Sequence, residues 1–182
     1  VILLLVWQSG LLFIELPPPK SEWAFETTEI RQLQAQGLDG QGVRICMVDT
    51  GFSPTHSAFE DFEIVFKDMV GDSTEPVDYG TVGHGTMMAG LLISQSHQIG
   101  VAPNVTLAVV AALSDNGDGV NSGEESVVAD AIRWCHQEFN ADIISLSLGG
   151  QQKPDSEREG DSVSATRMAV DAGSFVVAAA CN

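Results

Sequence analysis

The chain has 182 residues, enough for one domain with a sizeable core, and 44% hydrophobic against 18% charged residues is a globular rather than a disordered composition. Its 25 acidic and 8 basic side chains leave a net charge of −17. That balance argues against nucleic acid, which needs Lys and Arg facing phosphate, and against anionic membrane surfaces; it fits a self-repelling soluble surface or an acidic site for cationic substrates. The first residue is Val, so the start reads as a cut or processed end. Residues 1–14 are strongly apolar but interrupted at Gln8, Ser9 and Gly10. The run is shorter than the ~20 residues that span a bilayer. It leaves open a signal-type apolar core, membrane contact, or two short buried strands joined by a turn. Pro17-Pro18-Pro19 then forms a stiff extended connector, so residues 1–20 separate from a domain over 21–182.

Residues 27–36 open with hydroxyl and acid side chains and predict one helix ending near Gly37. A turn at Gly40–Gly42 precedes a buried strand over Val43–Val48 and a loop over Phe52–Phe59. A brief strand is expected over Glu63–Phe66 and a polar surface loop over 71–83. Helical spacing over His84–Ser94 puts Met88, Leu91 and Leu92 on one face. After the break at Gly100–Pro103 come a strand over Thr106–Leu113 and an acidic, glycine-rich loop over Ser114–Gly123. A helix over Ser126–Glu138 turns Val127, Ala131, Trp134 and Cys135 inward. A strand over Ile143–Leu148, a charged loop over Gln151–Asp161, a helix over Ser162–Ala172 and a strand over Phe175–Ala180 complete the order. Near-continuous apolar strands alternating with helices predict an α/β fold, a mostly parallel sheet covered by helices on both faces. Function then collects at the carboxyl ends of the strands, where Asp49, Ser147–Gly149 and Asn182 lie.

The three cysteines cannot form a fully paired framework, and none sits at metal-ligand spacing. Cys46 and Cys135 lie in apolar runs and read as small buried hydrophobes, which leaves the redox compartment unassigned. Taken singly, Asp49 is a turn-capping acid, His84 a structural histidine at a helix start, and Asn182 a cap residue. Taken together they supply the parts of acyl-transfer chemistry: a carboxylate to fix a histidine tautomer, a general base, and an amide for an oxyanion.

The segments Val-Asp-Thr-Gly (48–51), His-Gly-Thr-Met-Met-Ala-Gly (84–90), Gly-Val-Ala-Pro (100–103), Ile-Ser-Leu-Ser-Leu-Gly-Gly (144–150) and Val-Val-Ala-Ala-Ala-Cys-Asn (176–182) resemble the subtilisin-like serine proteases in order and spacing. The resemblance covers about residues 23–182. It implies a three-layer subtilisin-like fold, incomplete at the C-terminus, and peptide-bond hydrolysis through an acyl-enzyme on a serine. Carried over residue by residue, Asp49 is the triad acid, His84 the general base and Asn182 the oxyanion-hole amide. The family holds an extended peptide between two backbone edges, matched here by Asn121-Ser122-Gly123 and Ser147-Leu148-Gly149. Asp115, Asp118, Glu124 and Glu125 flank the first edge and suggest a preference for basic residues upstream of the cleaved bond.

The chain departs from the family pattern in several places. Met87 stands where a second histidine is usual, and Cys181 where glycine is usual. The segment after Ala89 is shorter than in the calcium-binding branch, so a structural calcium ion is left open there and no other cofactor is implied. The serine of the family's Gly-Thr-Ser-Met-Ala segment has no counterpart, and Ser145 and Ser147 fall in the substrate edge rather than on a nucleophile turn. The expected partners are therefore a protein or peptide substrate and a complementary serine-bearing segment of the same protease, with no nucleic acid. The alternatives are a catalytically inactive peptide-binding or scaffold module, or a truncated fragment. The expected location is secreted or extracytoplasmic.

Overall fold

A computed structural model describes residues 21–59, 62–96, 98–150 and 159–180. The expectations for residues 1–20, for most of the charged loop at 151–161, and for Cys181 and Asn182 lie outside them. Two short helices, α1 (Glu22–Thr27) and α2 (Ile30–Ala35), stand where one was predicted. The hydroxyls of Thr27 and Thr28 bond back to Trp23 O and Ala24 O, both at 2.7 Å, and Glu29 takes a left-handed φ of 59°. The Thr-Thr-Glu run that reads as a helix start therefore ends one helix and turns into the next.

The central sheet has five parallel strands in the order β2-β3-β1-β6-β7, with β1 Arg44–Asp49, β2 Val65–Asp68, β3 Thr106–Ala111, β6 Ile143–Leu146 and β7 Phe175–Ala178. The period of two along a strand divides the core. Cys46 and Val48 of β1, with Ala108, Val110, Ile144 and Leu146, face α4 (Glu125–Gln137) and α5 (Asp161–Asp171). Ile45, Met47, Leu107 and Val109 face α3 (His84–Ile93) and the Phe52–Phe59 pair. Helices thus cover both faces, as expected of a sheet whose central strands are apolar throughout.

Three local readings change. The buried stripe of α3 is Gly85, Ala89 and Ile93; Met88 and Leu92 are only partly buried and Leu91 is 45% exposed. Gly85 and Ala89 let the first turns of α3 approach their neighbours closely, and Ile93 fills the core at its end. The predicted loop at 114–123 contains a small hairpin, β4 (Ser114–Asp115) against β5 (Asn121–Ser122). Cys46 and Cys135 are fully buried as predicted, but they form a disulfide that joins β1 to α4 across 89 residues of sequence. Side chains from a strand and a helix on facing sides of one core meet there, a proximity that their sequence separation conceals.

The end of α3 is held from outside. Val101 N–H and Ala102 N–H donate to Leu91 O and Leu92 O, and Arg31 and Gln34 of α2 bond to the carbonyls of Ile99 and Gly100. No described helix is long and apolar enough to cross a membrane.

Candidate active site

Asp49 is the last residue of β1 and His84 the first of α3. Their segments meet because glycines let two backbones touch. A Cβ on Gly85 would strike the carbonyl oxygen of Gly51, and one on Gly51 would strike that of Val77 while its φ of +121° already disfavours any side chain. With that approach, His84 Nδ1 lies 2.7 Å from Asp49 Oδ1. The carboxylate is fully buried, whereas the imidazole is about a third exposed, at 31%. Thr50 N–H also donates to Asp49 Oδ1, at 2.7 Å, and among the described residues no donor meets Oδ2. A histidine oriented this way has Nδ1 committed to the acid and Nε2 left to exchange a proton.

His84 opens onto a cleft of about 1200 Å³. One wall is Gly119–Gly123 and the other Leu146–Gly150, so both predicted substrate edges, Asn121-Ser122-Gly123 and Ser147-Leu148-Gly149, line the same cavity as the imidazole. Val128 and Ile132 of α4 contribute apolar surface to it. The walls follow β3 and β6, the two neighbours of β1, which is why they flank Asp49 at the carboxyl end of the sheet. Gly123 is needed at its place because a Cβ would strike Ala112 O.

The acids beside the first edge divide in their use. Asp115 accepts the N–H groups of Gly117 and Gly119 and the hydroxyl of Thr81, and Asp118 accepts Val120 N–H. These two build the hairpin turn. Glu125 lines the cleft and accepts the Ser162 hydroxyl at 3.1 Å, and Glu159 and Asp161 line the same cleft. The latter pair was missed in the sequence because they fall in a charged loop with no apolar period to mark its orientation.

The loop before His84 is anchored by two carboxylates, Asp68 and Asp78. Asp68 accepts N–H from Val70, Gly71 and Ser73 and the hydroxyl of Tyr79 at 2.6 Å. Burial opposes its charge, but these bonds prevail and hold the carboxyl below its ordinary range. The bond to Asp68 in turn pushes the Tyr79 phenol up to about 12. Asp78 and Thr86 also escaped the sequence reading. Their signal was present in hydroxyl residues directly following both Asp49 and the His84-Gly85 pair.

Among the described residues, no three His, Cys, Asp or Glu side chains converge to hold a metal ion. The segment from Ser94 to Val105, where the resemblance left calcium open, contains no carboxylate.

A family model described as the subtilase family matches residues 40–182, and the chain belongs to that family. It is 38% identical over 159 residues to serine protease AprX of Bacillus subtilis (strain 168), covering 81% of this chain and 34% of AprX. It is 32% identical over 158 residues to subtilisin DY of Bacillus licheniformis, covering 83% of this chain and 51% of that protein. A crystal structure of a cold adapted subtilisin-like serine proteinase superposes with a TM-score of 0.63 at 31% identity, over 79% of this chain and 48% of the other. The chain thus spans about half the length, or less, of the relatives it matches.

Proposed function

We propose that this chain supplies the acid and the general base of a serine endopeptidase that cleaves peptide bonds through an acyl-enzyme, on a serine carried outside these 182 residues. The observation that carries the reading is the buried Asp49 carboxylate 2.7 Å from a His84 ring that opens into the cleft. Asp49 holds the imidazole in one tautomer and stabilises its cation. His84 Nε2 takes the proton from the serine hydroxyl as it attacks, then returns it to the leaving amine. Asn182 donates its amide hydrogen to the oxyanion that develops on the attacked carbonyl. The peptide lies extended between Asn121–Gly123 and Ser147–Gly149, where backbone pairing is tolerant of sequence and the pockets set preference. Glu125, beside apolar Val128 and Leu148, favours a long basic side chain upstream of the cleaved bond.

The serine-bearing segment covers the bare side of β7. Phe175 and Val177 are 76% and 60% exposed, and among the described residues no strand pairs with the outer edge of β7. An apolar strand in that state favours a further element against it. The Cys46–Cys135 disulfide supports a location outside the reducing cytosol.

A fluorophosphonate applied to protein produced from its natural gene tests the reading. Label on a serine of the same protease, abolished by His84→Ala, is the expected result. A preparation that binds peptides in the cleft but takes no label would replace the enzyme with the inactive peptide-binding module.

A further inference from the structure

Helix α3 begins without a cap of its own: Gly83 precedes it and no local side chain takes its first N–H groups. Remote residues take them instead. Gly85 N–H donates to Thr50 Oγ1 at 2.9 Å, and Thr86 N–H donates to Asp78 Oδ2 at 2.9 Å. Thr50 directly follows Asp49, and its hydroxyl donates to Asp78 Oδ1 at 2.6 Å. The Thr86 hydroxyl donates to Asp78 Oδ2 and accepts Ser53 N–H at 3.0 Å. Gly80 N–H completes the set on Oδ1 at 2.9 Å. One half-buried carboxylate thus collects donors from the strand end that bears Asp49, from the helix start that bears His84, and from its own loop.

We propose that Asp78 is a positioning residue for the Asp49–His84 pair, a half-buried acceptor that locks the general base's helix to the acid's strand. Asp78 itself stays outside the reaction; it acts through its bonds to Thr50 and Thr86. By accepting the Thr50 hydroxyl proton it fixes the rotamer whose lone pair receives Gly85 N–H. By accepting from Thr86 it sets the first turn of α3. Burial alone would raise its carboxyl, yet the bonds from Thr50, Thr86 and Gly80 hold it below the ordinary range, so the acceptor is charged wherever the protease works near neutrality. An amide cannot replace it. With its nitrogen on one side it would face Thr86 N–H, and on the other Gly80 N–H.

The kinetic part of the test rests on the protease reading; the spectroscopic part does not. In protein from its natural gene, Asp78→Asn is expected to lower kcat per fluorophosphonate-titrated site by roughly 10- to 100-fold with KM within about twofold, the cost of sub-ångström misplacement of a base. The low-field proton resonance of His84 Nδ1–H is expected to broaden through exchange with water. Should Asp78→Asn fail to fold, the pair Thr50→Val and Thr50→Ser gives the same readouts, with loss in the first and rescue in the second. Unchanged kcat per titrated site together with an unchanged resonance overturns the proposal. A resonance that depends on Asp78 in a protein that cleaves no peptide leaves the positioning role standing and removes the protease reading instead.

Discussion

The junction of β1 with α3 and the border at β7 belong to one fold and are finished to different degrees. At the junction the polar groups around Asp49 and His84 are drawn together by the carboxylates of Asp49 and Asp78, and the surrounding apolar residues Met47, Val48 and Phe52 are at most 1% exposed. At the border one side of β7 is complete and, among the described residues, the other is bare. Val176 packs into the core beneath α4 and α5, while its neighbours Phe175 and Val177 stand in solvent. The difference teaches that the contact between Asp49 and His84 is built by segments within the described residues, whereas those residues leave the sheet's apolar surface uncovered at β7.

The largest expected effect breaks the junction chemically without disturbing its shape. Asp49→Asn, assayed as kcat on a peptide substrate in protein from its natural gene, is expected to lose about 10^4-fold, since an amide selects the wrong histidine tautomer. A smaller loss from Asp49→Asn than from Asp78→Asn would reverse the roles given to the two carboxylates.

Removing the disulfide separates fold from site. Cys46→Ala is expected to destabilise the chain by about 2–5 kcal/mol in denaturant unfolding, because the bond closes a long loop. Alkylation of the unreduced, denatured protein should modify Cys181 alone. Modification of all three cysteines would remove both the crosslink and the compartment inferred from it.

The contrast between the regions is measured most directly with a pair of truncations. Met47→Ala deletes a fully buried side chain and is expected to cost about 2–5 kcal/mol in this chain. Phe175→Ala is expected to fall within about 0.5 kcal/mol here, as for other exposed positions. In the protease with its serine-bearing segment in place, the Phe175 cost should rise severalfold. An unchanged value there would mean that nothing covers β7.

The smallest effect reports on the loop that leads into His84. Tyr79 is the chain's single tyrosine, so its phenolate absorbance is unambiguous. Its ionisation is expected near 12 in the folded chain, against its ordinary value of 10.0 after unfolding. Because the folded value is raised, the stabilisation from the Asp68 bond is fully present below pH 10 and is lost as the pH rises towards 12. Asp68→Asn should move the midpoint back towards 10.0.

The sequence by itself determined the alternation of strands and helices and the parallel sheet, and it singled out Asp49, His84 and the two segments that the structure brings to one cleft. Apolar runs such as Val43–Val48 and the Gly-His-Gly setting are local patterns with local physical causes, burial on both faces and close backbone approach. What only the tertiary structure decided were relations between distant segments. The Cys46–Cys135 bond, the hydroxyls of Thr50 and Thr86 converging on Asp78, the turn-building use of Asp115 and Asp118, and the choice of Gly85, Ala89 and Ile93 as the buried face of α3 all depend on which elements pack together. No periodicity within a segment encodes them, because each is a contact between groups whose proximity exists only once the sheet has brought its strand ends to a common edge.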